Sequence, residues 1–180
     1  MNFWIHVRKL VSCLAKENKK AHKHIEDFNP DVMSLEKSYQ DFSSKMQLFN
    51  AGSGYENFND FIVSEASEYK NTGDGVTYVV WNILYDKDNI EIDRDIVSYY
   101  TLSATAIPYE DRIRCDEEEV LETGEEFDIE ICGISALEIK MFAVNQNYQD
   151  VFFKYAGEDL PISAWIMRSI IDYAYSLLDG

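Results

Sequence analysis

Apolar residues return along the chain with two rhythms, one helical and one of strands. Phe3, Trp4, Val7, Leu10, Val11 and Leu14 recur at helical spacing, and the pattern dissolves into KENKKAHKH before Asn29-Pro30. This segment reads as an appended helix. Gly52 and Gly54 punctuate the next stretch, after which Phe58, Phe61, Ile62, Ala66 and Tyr69 trace the stripe of a second helix, closed by the turn chemistry of Asn71 to Gly75. Val76 to Tyr85 is rich in β-branched and aromatic residues and is joined through DKDN to a second strand, Ile96 to about Ile107. The acidic stretch from Asp116 is loop by composition, and Ser135 to Val144 regains the apolar character of a strand. Ile162, Trp165, Ile166, Ile170, Tyr173, Ala174 and Leu177 then fall at helical spacing, with Pro161 suited to a first turn and Ser163 to a cap. The predicted order is α, α, β, β, β, α.

Composition narrows the class. A chain of 180 residues with 46% hydrophobic content can bury a full core. No stretch approaches the ~18 consecutive apolar residues of a membrane span. His6, Arg8 and Lys9 interrupt what would have to be the core of a signal peptide, so the expectation is a cytoplasmic protein without a membrane partner. Cys13, Cys115 and Cys132 are odd in number and lack metal-ligand spacing, which predicts reduced thiols and no metal site. His22 and His24 sit in a polar tract without nearby Cys or Asp.

The net charge of −17 is unevenly distributed. Residues 1–24 carry Arg8, Lys9, Lys16, Lys19, Lys20 and Lys23 against Glu17 alone, whereas Asp116 to Glu130 carries nine acids and no base. Such a field repels phosphate backbones and attracts cationic amines or basic proteins. Nucleic acid is therefore expected to touch the chain only through residues 1–24. Both runs also read as solvated faces.

The residues LEIKMFAVNQNYQ, Leu137 to Gln149, resemble the central strand of the GNAT (GCN5-related) N-acetyltransferase superfamily, with its apolar-Ala-Val step, polar turn and Tyr-Gln. LFNAGSGYENFNDFIVSEA and VSYYTLSATAI are similar to segments of the branch that includes bacterial acetyltransferase toxins. The resemblance covers roughly Phe49 to Leu178. It implies an α+β fold, a mixed, mostly antiparallel sheet flanked by helices, with residues 1–45 as a basic helical appendage and 46–180 as a partial acetyltransferase core. It also implies acetyl-CoA as cofactor, lying beside Met141, Phe142, Ala143 and Val144, whose backbone would pair with the pantetheine arm.

The family's phosphate loop, Gln/Arg-x-x-Gly-x-Gly/Ala, is represented by Gln149-Asp150-Val151-Phe152-Phe153-Lys154, which keeps Gln149 and lacks both glycines. We therefore expect a displaced phosphate site, with Gly157 making a turn, Ile162, Ser163 and Ala164 offering helix N–H groups, and Lys154 as counter-charge. Glu138 stands where some histone acetyltransferases carry the glutamate that takes the amine's proton, and Tyr99, Tyr100 and Ser103 would line the acceptor side. The family continues with further strands and a tyrosine, whereas this chain stops at Gly180. The expectation is that self-association as a homodimer, a partner strand or further C-terminal residues complete the cleft. The resulting function is transfer of acetyl from acetyl-CoA to a primary amine, on a protein lysine, an N-terminus or a small cationic molecule. The alternative is a non-catalytic interaction protein that binds a basic partner on the same scaffold.

Overall fold

The computed structural model describes residues 22–114 and 127–178. In it, β3 (Val76–Tyr85) is covered on both faces, and for that reason VTYVVWNILY is apolar almost continuously rather than alternately. β3 lies in a four-stranded antiparallel sheet of order β2–β3–β4–β5, formed with β2 (Pro30–Ser34), β4 (Glu91–Arg114) and β5 (Phe127–Val144). A second sheet has the order β1–β6–β7, in which β1 (Lys23–His24) runs parallel to β6 (Val151–Tyr155) and β7 (Glu158–Pro161) antiparallel to it.

The large sheet buries both faces. On one, Val79, Trp81, Ile96, Tyr99 and Ala143 pack against Leu35 and Met46 of α1 (Leu35–Met46) and against Phe61, Ile62 and Ala66. The last three belong to a helical run made of α2 (Glu56–Asp60), a π-helical turn (Phe61–Glu65) and α3 (Ala66–Thr72). On the other face, Val80, Val97, Tyr100 and Leu102 meet Val151 and Phe153 of β6 and Ile162, Ile166 and Ile170 of α4 (Ile162–Leu178). The result is the α+β arrangement expected, a mostly antiparallel sheet structure flanked by helices.

Local chemistry sets the element ends. Ser34 caps α1 by accepting the Lys37 N–H at 3.3 Å. α3 stops at Gly73, whose φ of +79° closes the helix in the left-handed region. Tyr39 donates its hydroxyl to the Ile62 carbonyl at 2.8 Å, holding α1 against the π-helical turn. Arg94, nearly buried, reaches Asp31 at 3.0 Å and Glu91 at 2.6 Å and lies 4.3 Å over the Phe42 ring, pinning α1 to the base of β4.

Three expectations are revised. Residues 30–45 form β2 and nearly all of α1, and both belong to the main unit: β2 pairs with β3, and Leu35 and Ser38 are buried. The boundary expected after residue 45 thus falls inside a core helix. β4 and β5 are also longer than the apolar runs that announced them, with pairing continuing to Arg114↔Phe127. The connection before α4 is the β6–β7 hairpin rather than a loop. The helix expected over Phe3 to Leu14 and the stretch 115–126 lie outside the described residues.

Candidate functional site

At Val144 the chain leaves the large sheet, turns through Asn145 to Asp150 and enters β6 of the small one. Among the described residues, β5 is paired with β4 alone, so its other edge carries no strand. The Asn145 N–H donates to the Val97 carbonyl at 2.8 Å, which makes Ser98↔Val144 a non-hydrogen-bonded pair. Alternation then turns the backbone groups of Met141 and Ala143 inward to β4 and those of Phe142 and Val144 outward. A bulge between Thr101 and Leu102 adds Lys140 to β5, immediately beyond this segment.

The turn after β5 is closed without glycine. Asn145 is buried; its carbonyl accepts from the Tyr148 N–H at 2.8 Å and the Gln149 N–H at 3.2 Å, and its side chain accepts from the Asn147 N–H at 3.2 Å. Asp150 takes the left-handed φ of +57°. Gln149 donates from Nε2 to the carbonyls of Val144 and Ala51, each at 2.9 Å. Its side chain thereby occupies one of the outward-facing acceptors of β5. The Tyr148 hydroxyl donates to Asp95 at 3.1 Å, and burial pushes its phenol up to about 12.

Gly157 makes a turn, as expected, but as the second residue of a two-residue hairpin whose φ values are +51° at Ala156 and +87° at Gly157. Lys154 pairs with Asp159 at 2.7 Å, and that bond holds the Asp159 carboxyl below its usual range. The expected counter-charge is therefore already engaged across the hairpin. α4 begins at Ile162, with Ile162 fully buried and Ser163 and Ala164 half-buried in its first turn.

The acceptor-side residues do not form one wall. Tyr99 packs with the α1–α3 cluster and donates its hydroxyl to the Phe58 carbonyl at 2.8 Å, while burial, with the Glu65 charge, raises its phenol. Tyr100 points to the α4 side, stacked on Tyr78 with ring centroids 5.4 Å apart, its phenol pushed up by burial to about 12. Adjacent positions of a strand face opposite sides, so these tyrosines cannot share a pocket. Ser103 is directly opposite Glu138, buried where Glu138 is exposed.

Two cavities flank the turn after β5. One, of about 480 Å³, is bordered by Lys45, Arg94, Asn145, Asn147 and Tyr148; the other, of about 610 Å³, by Asn50, Ser53, Glu56, Asn59 and Gln146. Glu56 accepts the Gly54 N–H at 3.0 Å, and this bond lowers its pKa. Neither cavity includes Glu138, which stands six positions before the end of β5 at Val144, about 20 Å along an extended strand.

No family model matches the chain, and no curated protein matches it. Among solved structures it is similar to a tyrosine-to-phenylalanine mutant of KacT, with a TM-score of 0.49 and 11% identity over 84% of this chain and 72% of that one. It is similar also to a mutant AtaT toxin bound to the C-terminus of the antitoxin AtaR and acetyl-CoA, with a TM-score of 0.48 and 14% identity over 84% and 68%. AtaT complexed with acetyl-methionyl-tRNA follows at a TM-score of 0.41 and 13% identity over 84% and 73%.

Proposed function

We propose that the protein transfers an acetyl group from acetyl-CoA to a primary amine along the open edge of β5. The observation that carries this reading is the parting of the sheets after Val144, which leaves the outward backbone groups of Phe142 on an edge without a paired strand among the described residues, in the stretch with the GNAT-like sequence. An extended ligand carrying amides can dock there as an added strand would, using only backbone. This fits a pantetheine arm. Val144 contributes less, because Gln149 already holds its carbonyl.

Acetyl-CoA, when bound, would supply a thioester carbonyl; the amine nitrogen would add to it, the C–N bond forming as the C–S bond breaks, with one of the neutral amine's two protons going to the sulfur and the other staying on the amide nitrogen. Glu138 takes the first proton from the ammonium, which is what makes a lysine-type nitrogen nucleophilic near neutrality. Ser103 is its cross-strand neighbour and would line the acceptor side there. The phosphates fall to the first-turn N–H groups of α4 at Ile162, Ser163 and Ala164, since Asp150 in the turn and Phe152 in β6 disfavour them nearer to β5. The acceptor is a cationic amine on a small molecule or protein, favoured by the net charge of −17, with a tRNA-borne amine ranking below it for the same reason.

Thermal unfolding with acetyl-CoA tests the reading. Ligand at ~100 times its dissociation constant should add ~2.7 kcal/mol of stability. Ser163→Pro, which removes one N–H from the first turn of α4, should weaken calorimetric binding, with native circular dichroism as the control for folding. Absence of any acetyl-CoA binding by the wild-type chain overturns the proposal, and unchanged affinity in Ser163→Pro removes α4 as the phosphate site.

A further inference from the structure

Beyond Leu102, where pairing with β3 ends, β4 and β5 continue as a two-stranded ribbon. Its apolar residues are exposed: Ile107 at 57%, Ile134 at 56% and Ile131 at 77%, with Tyr109 and Leu137 also open. A lone two-stranded ribbon is marginal in water, and a free, apolar-flanked edge is a template for another chain. The pairing register sorts the side chains. Ile107 is opposite Ile134 and Tyr109 opposite Cys132, so these four share one face. Along that same face Ser103 and Glu138 lie at one end, and Asp111 and Glu130 face each other at the other.

Directly opposed carboxylates repel. Neither Asp111 nor Glu130 has an ion-pair partner among the described residues, and both push the pKa of the neighbouring Tyr109 phenol upward, behind the larger effect of Cys132. The sequence joining the two strands, Asp116 to Glu126, adds seven acids and no base. The face is thus an apolar centre with carboxylates at both ends that have no ion-pair partner among the described residues. A second copy of the chain would bring the same acids to the same place and a net charge of −17 with it, which charge disfavours.

We propose that this ribbon face is a docking surface for a protein segment with an apolar centre and lysine or arginine flanks, received in extended form beside Ile107, Tyr109 and Ile134. Its cations would meet Glu138 at one end and the Asp111–Glu130 pair at the other, and its apolar residues would cover side chains now exposed to water. The surface shares Glu138 with the proposed acetyl-transfer chemistry, but Ile107, Tyr109, Ile134 and the Asp111–Glu130 pair take no part in that chemistry, and substitutions at these residues test the docking surface by itself.

The test is fluorescence anisotropy of the full chain with a short peptide of alternating valine and threonine flanked by lysines, and with a glutamate-flanked counterpart. The lysine-flanked peptide should bind, weaken with added salt, and lose about tenfold in affinity to the Asp111→Lys/Glu130→Lys variant, the counterpart showing no binding. Ile134→Lys, checked for native circular dichroism, should abolish binding. No binding of the lysine-flanked peptide, equal binding of both peptides, or indifference to these substitutions overturns the proposal. So does light scattering that shows a dimer dissociated by Ile134→Lys, which would make the occupant a second copy.

Discussion

The carboxamide of Gln149 donates to the carbonyl of Val144 at 2.9 Å, so the last outward-facing acceptor of β5 is held by the chain's own side chain. The same nitrogen reaches the carbonyl of Ala51, tying the end of β5 to the turn before α2. Gln149→Ala removes both bonds and should lower stability by about 1–2 kcal/mol, read from the urea midpoint. Gln149→Glu should cost more, because a carboxylate would then face two carbonyl oxygens with no proton between them. Its deficit should shrink as the pH falls and the carboxyl is protonated; equal losses at every pH would mean that the amide's donor role is incidental.

For the proposed chemistry, Glu138→Gln should lower the rate of acetyl transfer most at mildly acidic pH, where unprotonated amine is scarcest, and leave acetyl-CoA affinity nearly intact. The measurement is steady-state thiol release across pH, with binding followed separately by calorimetry. An undiminished rate at every pH would leave Glu138 as an exposed residue of the ribbon without a part in catalysis.

Inside the core, the Trp81 indole N–H donates to the Ser38 hydroxyl at 3.1 Å, with both residues fully buried. Ser38→Ala leaves that N–H without a partner and should destabilise the fold by about 1–3 kcal/mol. The same substitution in a Trp81→Phe background should cost less, since no donor remains to be satisfied. Chemical denaturation of the four proteins of this cycle measures the difference.

Burial raises the phenols of Tyr99, Tyr100 and Tyr148, the last two to about 12 from an ordinary 10.0. A raised folded-state pKa means that the folded chain holds protons which the unfolded chain has already lost, so stability falls as the pH rises. The contribution is intact below pH 10 and is lost between 10 and about 12. Tyrosinate absorbance from these residues should appear together with loss of circular dichroism. Tyr100→Phe should flatten the alkaline decline, and a tyrosinate signal preceding unfolding would show that the rings are accessible in the native state.

The sequence by itself determined the elements whose apolar pattern records burial against their neighbours, on one face for the helices and on both for the central strand. Phe58, Phe61, Ile62, Ala66 and Tyr69 mark the helical run behind the sheet, Val76–Tyr85 its central strand, and Pro161 with Ile162 the start of α4. α1 was legible too, in the spacing of Leu35, Tyr39, Phe42 and Met46, but its polar remainder concealed it. Strand alternation alone separates Tyr99 from Tyr100, and VFFKY-AG-EDLP carries the two-residue turn of a hairpin.

Only the tertiary structure decided what those elements meet. That β6 joins β1 rather than β5, that Gln149 answers Ala51 across 98 positions, and that Asp111 falls opposite Glu130 all depend on register and on the docking of one layer against another. The reason is physical. Burial of a single face repeats at a period the chain itself records, whereas a contact between distant segments is fixed by how already formed surfaces pack, and a residue such as Gln149 looks the same in sequence whether its amide faces water, a ligand or a carbonyl.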